Sequence, residues 1–203
     1  AILLKRGKNG PALVIAPTSV CMNWQSEAER FAPSLNVLSL RDVSHSHREK
    51  LLQQLGANDL LVCSYGLMQQ EAVADALADI EWNTLVLDEA QAIKSHATKR
   101  SQSVRALTGH FKIIMTGTPI ENHLGELWNL FRFINPGLLG SLEKFKQKFA
   151  NPIERDPDKP ASAAAKNALR HLIRPFILRR TKDQDLKELP ARPEITLPIE
   201  LSE

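Results

Sequence analysis

The chain has 203 residues, of which 43% are hydrophobic, so it is long enough to bury one sizeable core. Its formal net charge is only +3, which excludes a protein dominated by basic charge, and any basic surface must be local. Its apolar runs are far shorter than the ~20 residues of a membrane span, so we expect no membrane partner. Cys21 and Cys63 stand apart in apolar segments, a pattern typical of buried, reduced thiols.

Short apolar runs separated by helix-length segments organise the first two thirds of the chain. These runs predict strands at 13–15, 37–40, 60–63, 84–87 and 113–115, and those at 13–15, 84–87 and 113–115 are expected to be buried. Strands that alternate with helices predict an α/β fold with a mostly parallel sheet and right-handed crossovers.

Several residues predict where the helices begin and end. Ser19 is expected to cap a helix whose apolar face runs from Val20 to Phe31 and includes Trp24 as a core residue. Ser46 and Glu49 are expected to form a capping box at the start of the helix that follows the strand at 37–40. Gly109 is expected to end the helix that precedes the last strand.

The composition changes after Met115 and predicts a helical C-terminal extension. An apolar stripe over 124–134, which includes Trp128, predicts one helix, and further helices are expected around 142–149 and 169–173. The polar, proline-bearing stretch 151–162 predicts a loop. The segment 195–201 alternates like a strand but contains Pro198, so we expect an exit segment rather than a core strand.

Two adjacent carboxylates, Asp88 and Glu89, directly follow the predicted strand 84–87. Ligands bind beyond the carboxyl ends of strands in open α/β sheets, so this position suits chemistry. An Asp there can hold Mg²⁺, usually through water, and a neighbouring Glu can orient or deprotonate a water that attacks a phosphate. Taken alone, the pair is equally consistent with a strand that ends in two solvated acids.

Two further polar turns follow predicted strands. Thr116, Gly117 and Thr118 come after the strand at 113–115, and we expect Gly117 to permit a turn that a side chain would hinder. The two hydroxyls can sense a phosphate or bond the carboxylates. Pro17–Ser19 follow the first strand, where a helix start with hydroxyls suits phosphate binding, although a simple helix cap explains it equally well.

Taken together, these segments resemble the Swi/Snf family of DNA-translocating ATPases, relatives of superfamily-two helicases, in the family's order along nearly the whole chain. Leu87–Lys94 is similar to the family's Asp-Glu-Ala-His/Gln box, here Asp-Glu-Ala-Gln. The remaining matches are 13–19 with Asn23-Trp24, 63–67, 115–122, 126–131, 136–140 and 176–182 with Glu188-Leu189-Pro190.

The resemblance implies a RecA-like (P-loop NTPase-type) fold and specific roles. Asp88 and Glu89 would bind the Mg²⁺ of Mg-ATP, Glu89 would activate the hydrolytic water, and Gln91 would help bind the nucleotide. Gln91 and the Thr116–Gly117–Thr118 turn would couple phosphate state to a second lobe and to DNA. The residues near the backbone of double-stranded DNA would be Pro17, Thr18, Ser19, Ser64 and Tyr65.

The chain departs from the family pattern because it contains no G-x-x-x-x-G-K-[ST] phosphate loop. It also opens with Ala1 inside an apolar segment. We therefore expect an excised piece, inactive alone, with residues 1–135 forming a partial ATP-binding lobe that lacks the phosphate loop. Residues 136–203 would form a helical extension and an exit segment toward a missing second lobe.

The expected parent is a DNA-dependent ATPase that remodels protein–DNA complexes, with ATP and Mg²⁺ as cofactors. Its partners would be double-stranded DNA and a DNA-bound protein complex such as polymerase or nucleoid proteins, in a nucleoid-associated cytoplasmic or nuclear setting. A DNA- or protein-binding module without catalysis remains the alternative. A dinucleotide-binding enzyme is disfavoured because no G-x-G-x-x-G turn follows any strand.

Overall fold

The predicted apolar runs form a parallel sheet in the computed structural model, which describes residues 1–95, 97–155 and 158–180. The strands of this part of the chain are β1 (Ala12–Ala16), β2 (Asn36–Ser39), β3 (Asp59–Ser64), β4 (Glu81–Leu87) and β5 (Thr108–Ile114). Their order in the sheet is β2-β3-β1-β4-β5, and every neighbouring pair is parallel. The order reverses direction next to β1, which places a ligand-binding crevice at the carboxyl ends of β1 and β4.

Helices cover both faces of the sheet and form the extension. They are α1 (Ile2–Gly7), α2 (Thr18–Phe31), α3 (His45–Gln54), α4 (Glu71–Ala78), α5 (Lys99–Ala106), α6 (Leu124–Ile134), α7 (Leu142–Phe145), α8 (Asn151–Arg155) and α9 (Pro160–Ile173). A π-helical turn, Lys146–Ala150, joins α7 to α8.

The side chains of the strands alternate between two apolar clusters, one on each face of the sheet. Leu13 and Ile15 of β1 belong to the cluster that α3, α4, α5 and α6 cover. Val14 and Ala16 belong to the cluster that α1 and α2 cover. Because successive strand residues point to opposite faces, both faces of a central strand must be apolar, and all of β1 is buried.

The expected helix boundaries need several corrections. The N-cap of α2 is Pro17, without a side-chain cap, and Ser19 lies inside the first turn of the helix. The N-cap of α3 is Ser44, so the predicted capping box of Ser46 is wrong. Phe31 is 63% exposed and does not join the apolar face of α2. Apolar spacing locates a helix better than it locates the helix ends.

Gly109 does not end a helix; it lies in β5, and α5 ends earlier at Ala106. A Cβ atom at Gly109 would come within 2.9 Å of the Leu85 side chain, so the close packing of β5 against β4 explains the glycine. The strand is also longer than predicted and lies at an edge of the sheet, where it is only partly buried.

The helical extension has an apolar cluster of its own, centred on Phe145, Phe149 and Leu169. Helix α6 contributes to both regions, since Leu127 packs in this cluster while Phe133 packs against the sheet. The predicted loop over 151–162 is wrong in part, because α8 and the start of α9 lie within it. The division after residue 135 stays a prediction, and the segments 181–182, 188–190 and 195–201 lie outside the described residues.

Among the helices of the described residues, we find none with the length and apolar character that crossing a membrane requires.

Candidate active site

The predicted site residues meet at the carboxyl edge of the sheet, where backbone hydrogen bonds join the loops that follow neighbouring strands. The Tyr65 N–H donates to the Ala16 carbonyl at 3.1 Å, and the Asp88 N–H donates to the Ile15 carbonyl at 2.9 Å. On the other side, the Ala90 N–H donates to the Met115 carbonyl at 3.0 Å. The parallel strands thus hold four loops at fixed positions relative to one another.

Asp88 is half-buried and its carboxylate is held from two sides. The Trp24 Nε1–H donates to Asp88 Oδ2 at 2.8 Å, and the Glu89 backbone N–H donates to Asp88 Oδ1 at 2.9 Å. The Tyr65 hydroxyl donates to the Asp88 carbonyl at 3.0 Å. Burial raises the pKa of Tyr65, and the nearby Asp88 charge raises it further, so the hydroxyl remains a donor. These contacts fix the orientation of the Asp88 carboxylate.

Glu89 has a left-handed backbone conformation, with φ of 47° and ψ of 50°. A residue with a side chain adopts this region only at a cost in energy, and such strain concentrates at functional sites. The Gln91 Nε2–H donates to Glu89 Oε2 at 2.5 Å. The backbone turn and this hydrogen bond place the Glu89 carboxylate beside Gln91 rather than over the sheet core.

The hydrogen bonding continues from Gln91 into the turn after β5. The Thr116 hydroxyl donates to Gln91 Oε1 at 2.8 Å, and Thr116 Oγ1 accepts from the Thr118 N–H at 3.2 Å. The expectation for Gly117 is wrong, because a Cβ atom there would have no other atom within 4 Å and its φ is not left-handed. The two threonines, rather than the glycine, define this turn.

A second part of the network extends from Thr118 toward helix α6. The Thr118 hydroxyl donates to Glu121 Oε1 at 3.0 Å, and Lys94 forms a salt bridge with Glu121. The hydrogen bonds from Lys94 and Thr118 hold the pKa of Glu121 below its ordinary value. Glu126, which is 3% exposed, accepts the Glu121 N–H at 2.7 Å and the Asn122 side-chain amide at 3.0 Å.

Side chains of α5 and α6 also anchor the turn that follows Glu89, through hydrogen bonds to the Ile93 carbonyl. The Ile93 carbonyl accepts the Ser101 hydroxyl at 2.9 Å and the side-chain amide of Asn129. Arg105 donates to Asn129 Oδ1 at 3.0 Å. Because Ser101 and Asn129 are buried, these hydrogen bonds are shielded from water and fix the turn at Ile93.

The residues predicted to contact DNA all lie at the same edge, but with different exposure. Thr18 and Ser19 have exposed side chains at the start of α2. Ser64 is 8% exposed and its hydroxyl accepts the Leu67 N–H at 3.3 Å, while Tyr65 is 3% exposed. Pro17 is half-buried at the N-cap of α2. Their contacts with DNA stay predictions.

The sequence patterns do not predict the polar contacts of four residues, Trp24, Lys94, Glu121 and Glu126. Trp24 packs with the apolar face of α2, as predicted, yet its indole N–H also reaches Asp88. Trp128 is buried in the extension, as predicted, and donates to a backbone carbonyl. The available signal was the position of Trp24 in the helix that follows β1, close to the carboxyl edge.

The carboxylates of Asp88 and Glu89 suit Mg²⁺, which prefers oxygen ligands and keeps several waters. Each Asp88 oxygen accepts one N–H and retains a second lone pair, which allows binding through a water. Within the described residues, no group of three or more His, Cys, Asp and Glu residues is placed to hold a metal ion by itself. The two carboxylates, with their free lone pairs, fit a hydrated Mg²⁺ ion.

Comparison with proteins from other organisms places these features in context. A putative ATP-dependent helicase/translocase of Bacillus subtilis, YwqA, is 44% identical over 172 residues, which cover 85% of this chain and 18% of the relative. The TATA-binding protein-associated factor mot1 of Schizosaccharomyces pombe is 34% identical over 189 residues, covering 90% of this chain and 10% of that protein. The chain thus spans between a tenth and a fifth of the length of these relatives.

Solved structures match the fold as well. The SWI2/SNF2 ATPase core of Sulfolobus solfataricus in complex with dsDNA superposes with a TM-score of 0.73 at 40% identity, over 89% of this chain and 36% of that chain. A second structure, the SWI2/SNF2 ATPase core domain of Sulfolobus solfataricus, gives a TM-score of 0.74 at 38% identity. The match covers 93% of this chain and 37% of that chain. These matches confirm the predicted RecA-like parallel sheet flanked by helices. Because the model of the SNF2-related domain also matches residues 2–203, the chain belongs to the SNF2-related domain family.

Proposed function

We propose that this chain forms part of the ATP-binding lobe of a DNA-dependent ATPase that moves along double-stranded DNA and remodels protein–DNA complexes. The observation that carries the proposal is the hydrogen-bonded path from Glu89 through Gln91 to Thr116. It joins a carboxylate suited to hydrolysis to the loop of a neighbouring strand. The similarity to an ATPase core solved with dsDNA supports the same function.

Asp88 and Glu89 would bind the Mg²⁺ of Mg-ATP, which when bound neutralises phosphate charge. Glu89 would accept a proton from the attacking water at a carboxylate oxygen. The Gln91 amide leaves that carboxylate a second oxygen for the water, while Trp24 and the Glu89 N–H keep Asp88 in one orientation. Each side chain thereby has a distinct part in holding nucleotide or moving a proton.

Gln91, Thr116, Gly117 and Thr118 would transmit the phosphate state of the site to the rest of the enzyme. A change at Glu89 alters the acceptor to which the Gln91 Nε2–H donates, and Thr116 donates to Oε1 of the same amide group. Thr118 continues the path to Glu121, which pairs with Lys94. The Glu121 N–H then donates to Glu126 of α6, the helix that packs against both the sheet and the extension.

Duplex DNA would lie along the carboxyl edge. The exposed hydroxyls of Thr18 and Ser19 at the start of α2 would donate to backbone phosphates, a contact that carries no sequence information. The buried residues Ser64 and Tyr65 would shape this edge, with Pro17 between them and the helix. DNA as partner, together with a DNA-bound protein complex, implies a nucleoid-associated or nuclear location.

A translocation assay tests this function in a longer protein that contains these residues. We expect ATP-dependent displacement of a third strand from a triplex, without separation of the strands of a plain duplex. A protein that binds duplex DNA but neither hydrolyses ATP nor displaces the third strand would support the alternative, a binding module without catalysis. Hydrolysis that DNA does not stimulate would contradict the proposed coupling.

The 203 residues by themselves are proposed to be inactive. They contain no phosphate loop, whose backbone N–H groups and Lys surround the phosphates in such lobes. Asp88 and Glu89 repel a nucleotide without Mg²⁺, and one or two carboxylates hold Mg²⁺ poorly without phosphates. Calorimetric titration of the chain with Mg-ATP should give no heat above dilution. Saturable binding at micromolar ATP would show that another phosphate site exists.

A further inference from the structure

Residues 136–180 of the helical extension carry an excess of positive charge that residues 1–135 lack. Residues 136–180 contain ten Lys and Arg residues against four Asp and Glu residues, whereas residues 1–135 contain thirteen of each. All ten basic side chains of the extension are exposed. The sheet region is therefore neutral overall, and the extension accounts for a strongly positive local surface.

Three of these cations form one stripe along α9. Lys166, Arg170 and Arg174 are spaced four residues apart, which places them on the same side of a helix. Arg174 is the C-cap of α9 and keeps helical backbone angles. In the part of the chain that the structure describes, none of the three forms an ion pair. Helix α9 itself contains no acidic residue.

An adjoining side of α9 packs against the rest of the extension. Leu169 is buried, and Leu172 and Ile173 pack in the same apolar cluster as Phe145. The stripe therefore stands on a helix whose position is set by core packing, so its charges are pre-arranged in a row. A rise of 1.5 Å per residue makes the row about 12 Å long.

We propose that this stripe of α9 is a second contact surface for the phosphate backbone of double-stranded DNA, separate from the Thr18–Ser19 edge. One DNA strand carries a phosphate every ~3.4 Å of helix axis, so about three phosphates match the length of the stripe. The contact needs no base readout, because Lys and Arg side chains bind phosphate oxygens by charge and hydrogen bonds. This inference rests on the proposed binding of duplex DNA.

The test compares two triple variants that remove equal charge from exposed sites. The stripe variant is Lys166→Gln with Arg170→Gln and Arg174→Gln. The control variant is Lys50→Gln with Arg30→Gln and Lys8→Gln, three exposed cations of the sheet region that lie away from the carboxyl edge. Both variants remove three positive charges, so the change in net charge is matched. Binding of a labelled duplex is measured by fluorescence anisotropy from 50 to 200 mM salt, and thermal unfolding is measured alongside.

For the stripe variant we expect a plot of log affinity against log salt whose slope is shallower by two to three, about 0.9 for each lost phosphate contact. Over the fourfold salt range this amounts to roughly forty-fold less salt sensitivity than the wild type shows. The control variant should change the slope by less than one. Both variants should unfold near the wild-type temperature.

Equal slopes for the two variants would overturn the stripe as a DNA contact while leaving the proposed function intact. A lowered unfolding temperature with an unchanged slope would assign the stripe to helix stability instead. If the stripe variant keeps duplex binding but loses binding to polyglutamate, the partner is an acidic polypeptide, and the proposal fails. If the wild-type chain does not bind duplex DNA even at 50 mM salt, this inference and the proposed DNA binding fall together, whereas ATP hydrolysis by a longer protein can still be tested.

Discussion

Different kinds of contact stabilise the carboxyl edge of the sheet and the helical extension. At the edge, side-chain hydrogen bonds cross between loops, as from Trp24 to Asp88 and from Thr116 to Gln91. In the extension, apolar side chains such as Phe145 and Leu169 fill a small core. Apolar packing is tolerant of shape, whereas a hydrogen bond constrains the direction of a single group. The edge is therefore suited to orient reacting atoms, and the extension to support a surface.

Two tryptophans show this difference in a single residue type. The Trp24 indole donates to the Asp88 carboxylate at 2.8 Å, and the Trp128 indole donates to the Gly140 carbonyl at 3.0 Å. Both rings pack against apolar side chains. Because only Trp24 touches a group with a proposed catalytic role, the same substitution at both sites separates function from packing.

The largest effect is expected from Glu89→Gln in a longer protein that contains a phosphate loop. The substitution keeps the shape and can still accept from Gln91, but it removes the base. DNA-stimulated ATP hydrolysis should fall by ~10²–10⁴-fold with ATP binding retained, as measured by steady-state turnover and nucleotide titration.

Glu81→Gln is the matched control, since Glu81 is an exposed acid at the amino end of the same strand, β4. It should leave turnover near the wild-type rate. Near-normal turnover by Glu89→Gln would remove Glu89 from the proposed role and weaken the contrast between edge and extension.

A smaller effect is expected from Trp24→Phe, measured as the Mg²⁺ concentration that half-saturates ATP hydrolysis. The variant keeps an aromatic ring but loses a hydrogen bond to a charged group, worth ~1.5–3 kcal/mol. The half-saturating concentration should rise by about tenfold, since 1.4 kcal/mol corresponds to a factor of ten. The change in intrinsic fluorescence on Mg-ATP binding should also be smaller in Trp24→Phe than in the wild type.

Trp128→Phe should lower the free energy of unfolding by about 1 kcal/mol, the net worth of a neutral hydrogen bond, without changing the Mg²⁺ requirement. Equal Mg²⁺ requirements for the two variants would mean that Trp24 serves only the core. Urea unfolding of both variants separates this outcome from a general loss of stability.

The sheet could be predicted from sequence because each of its strands has an apolar run and a polar residue follows most of them. The contact from Trp24 to Asp88 could not, since the two residues are 64 positions apart and periodicity assigns a face, not a partner. The prediction for Gly109 is wrong because the glycine is required by the close approach of the Leu85 side chain, a tertiary contact. Proline and polar residues over 151–162 predict a loop, yet part of this stretch forms α8, whose Ile153 packs against the apolar cluster of the extension.

The smallest effect is expected at Glu126, the residue of α6 that accepts hydrogen bonds from Glu121 and Asn122. It should be measurable as a pH dependence of the free energy of unfolding. Burial raises the pKa of Glu126, but hydrogen bonds from the Glu121 N–H and from Asn122 outweigh it and hold the pKa below its ordinary value of 4.5. A carboxyl whose pKa is lower in the folded state stabilises the fold above 4.5, and this contribution is lost as the pH falls through the folded value.

Glu126→Gln removes the charge and should make the protein less stable at pH 7, by ~1–3 kcal/mol, because buried donors lose their charged acceptor. The difference between wild type and variant should shrink as the pH falls below 4.5. Glu121 and other carboxylates titrate in the same window, but they are present in both proteins and largely cancel in the difference. Urea unfolding at pH 7, 5 and 4 and at lower pH measures the two curves, with Glu143→Gln, an exposed acid of α7, as control. A difference that stays constant from pH 7 to below 4 would mean that Glu126 is neutral in the folded protein, and the link between edge and extension would then rest on neutral hydrogen bonds and apolar packing.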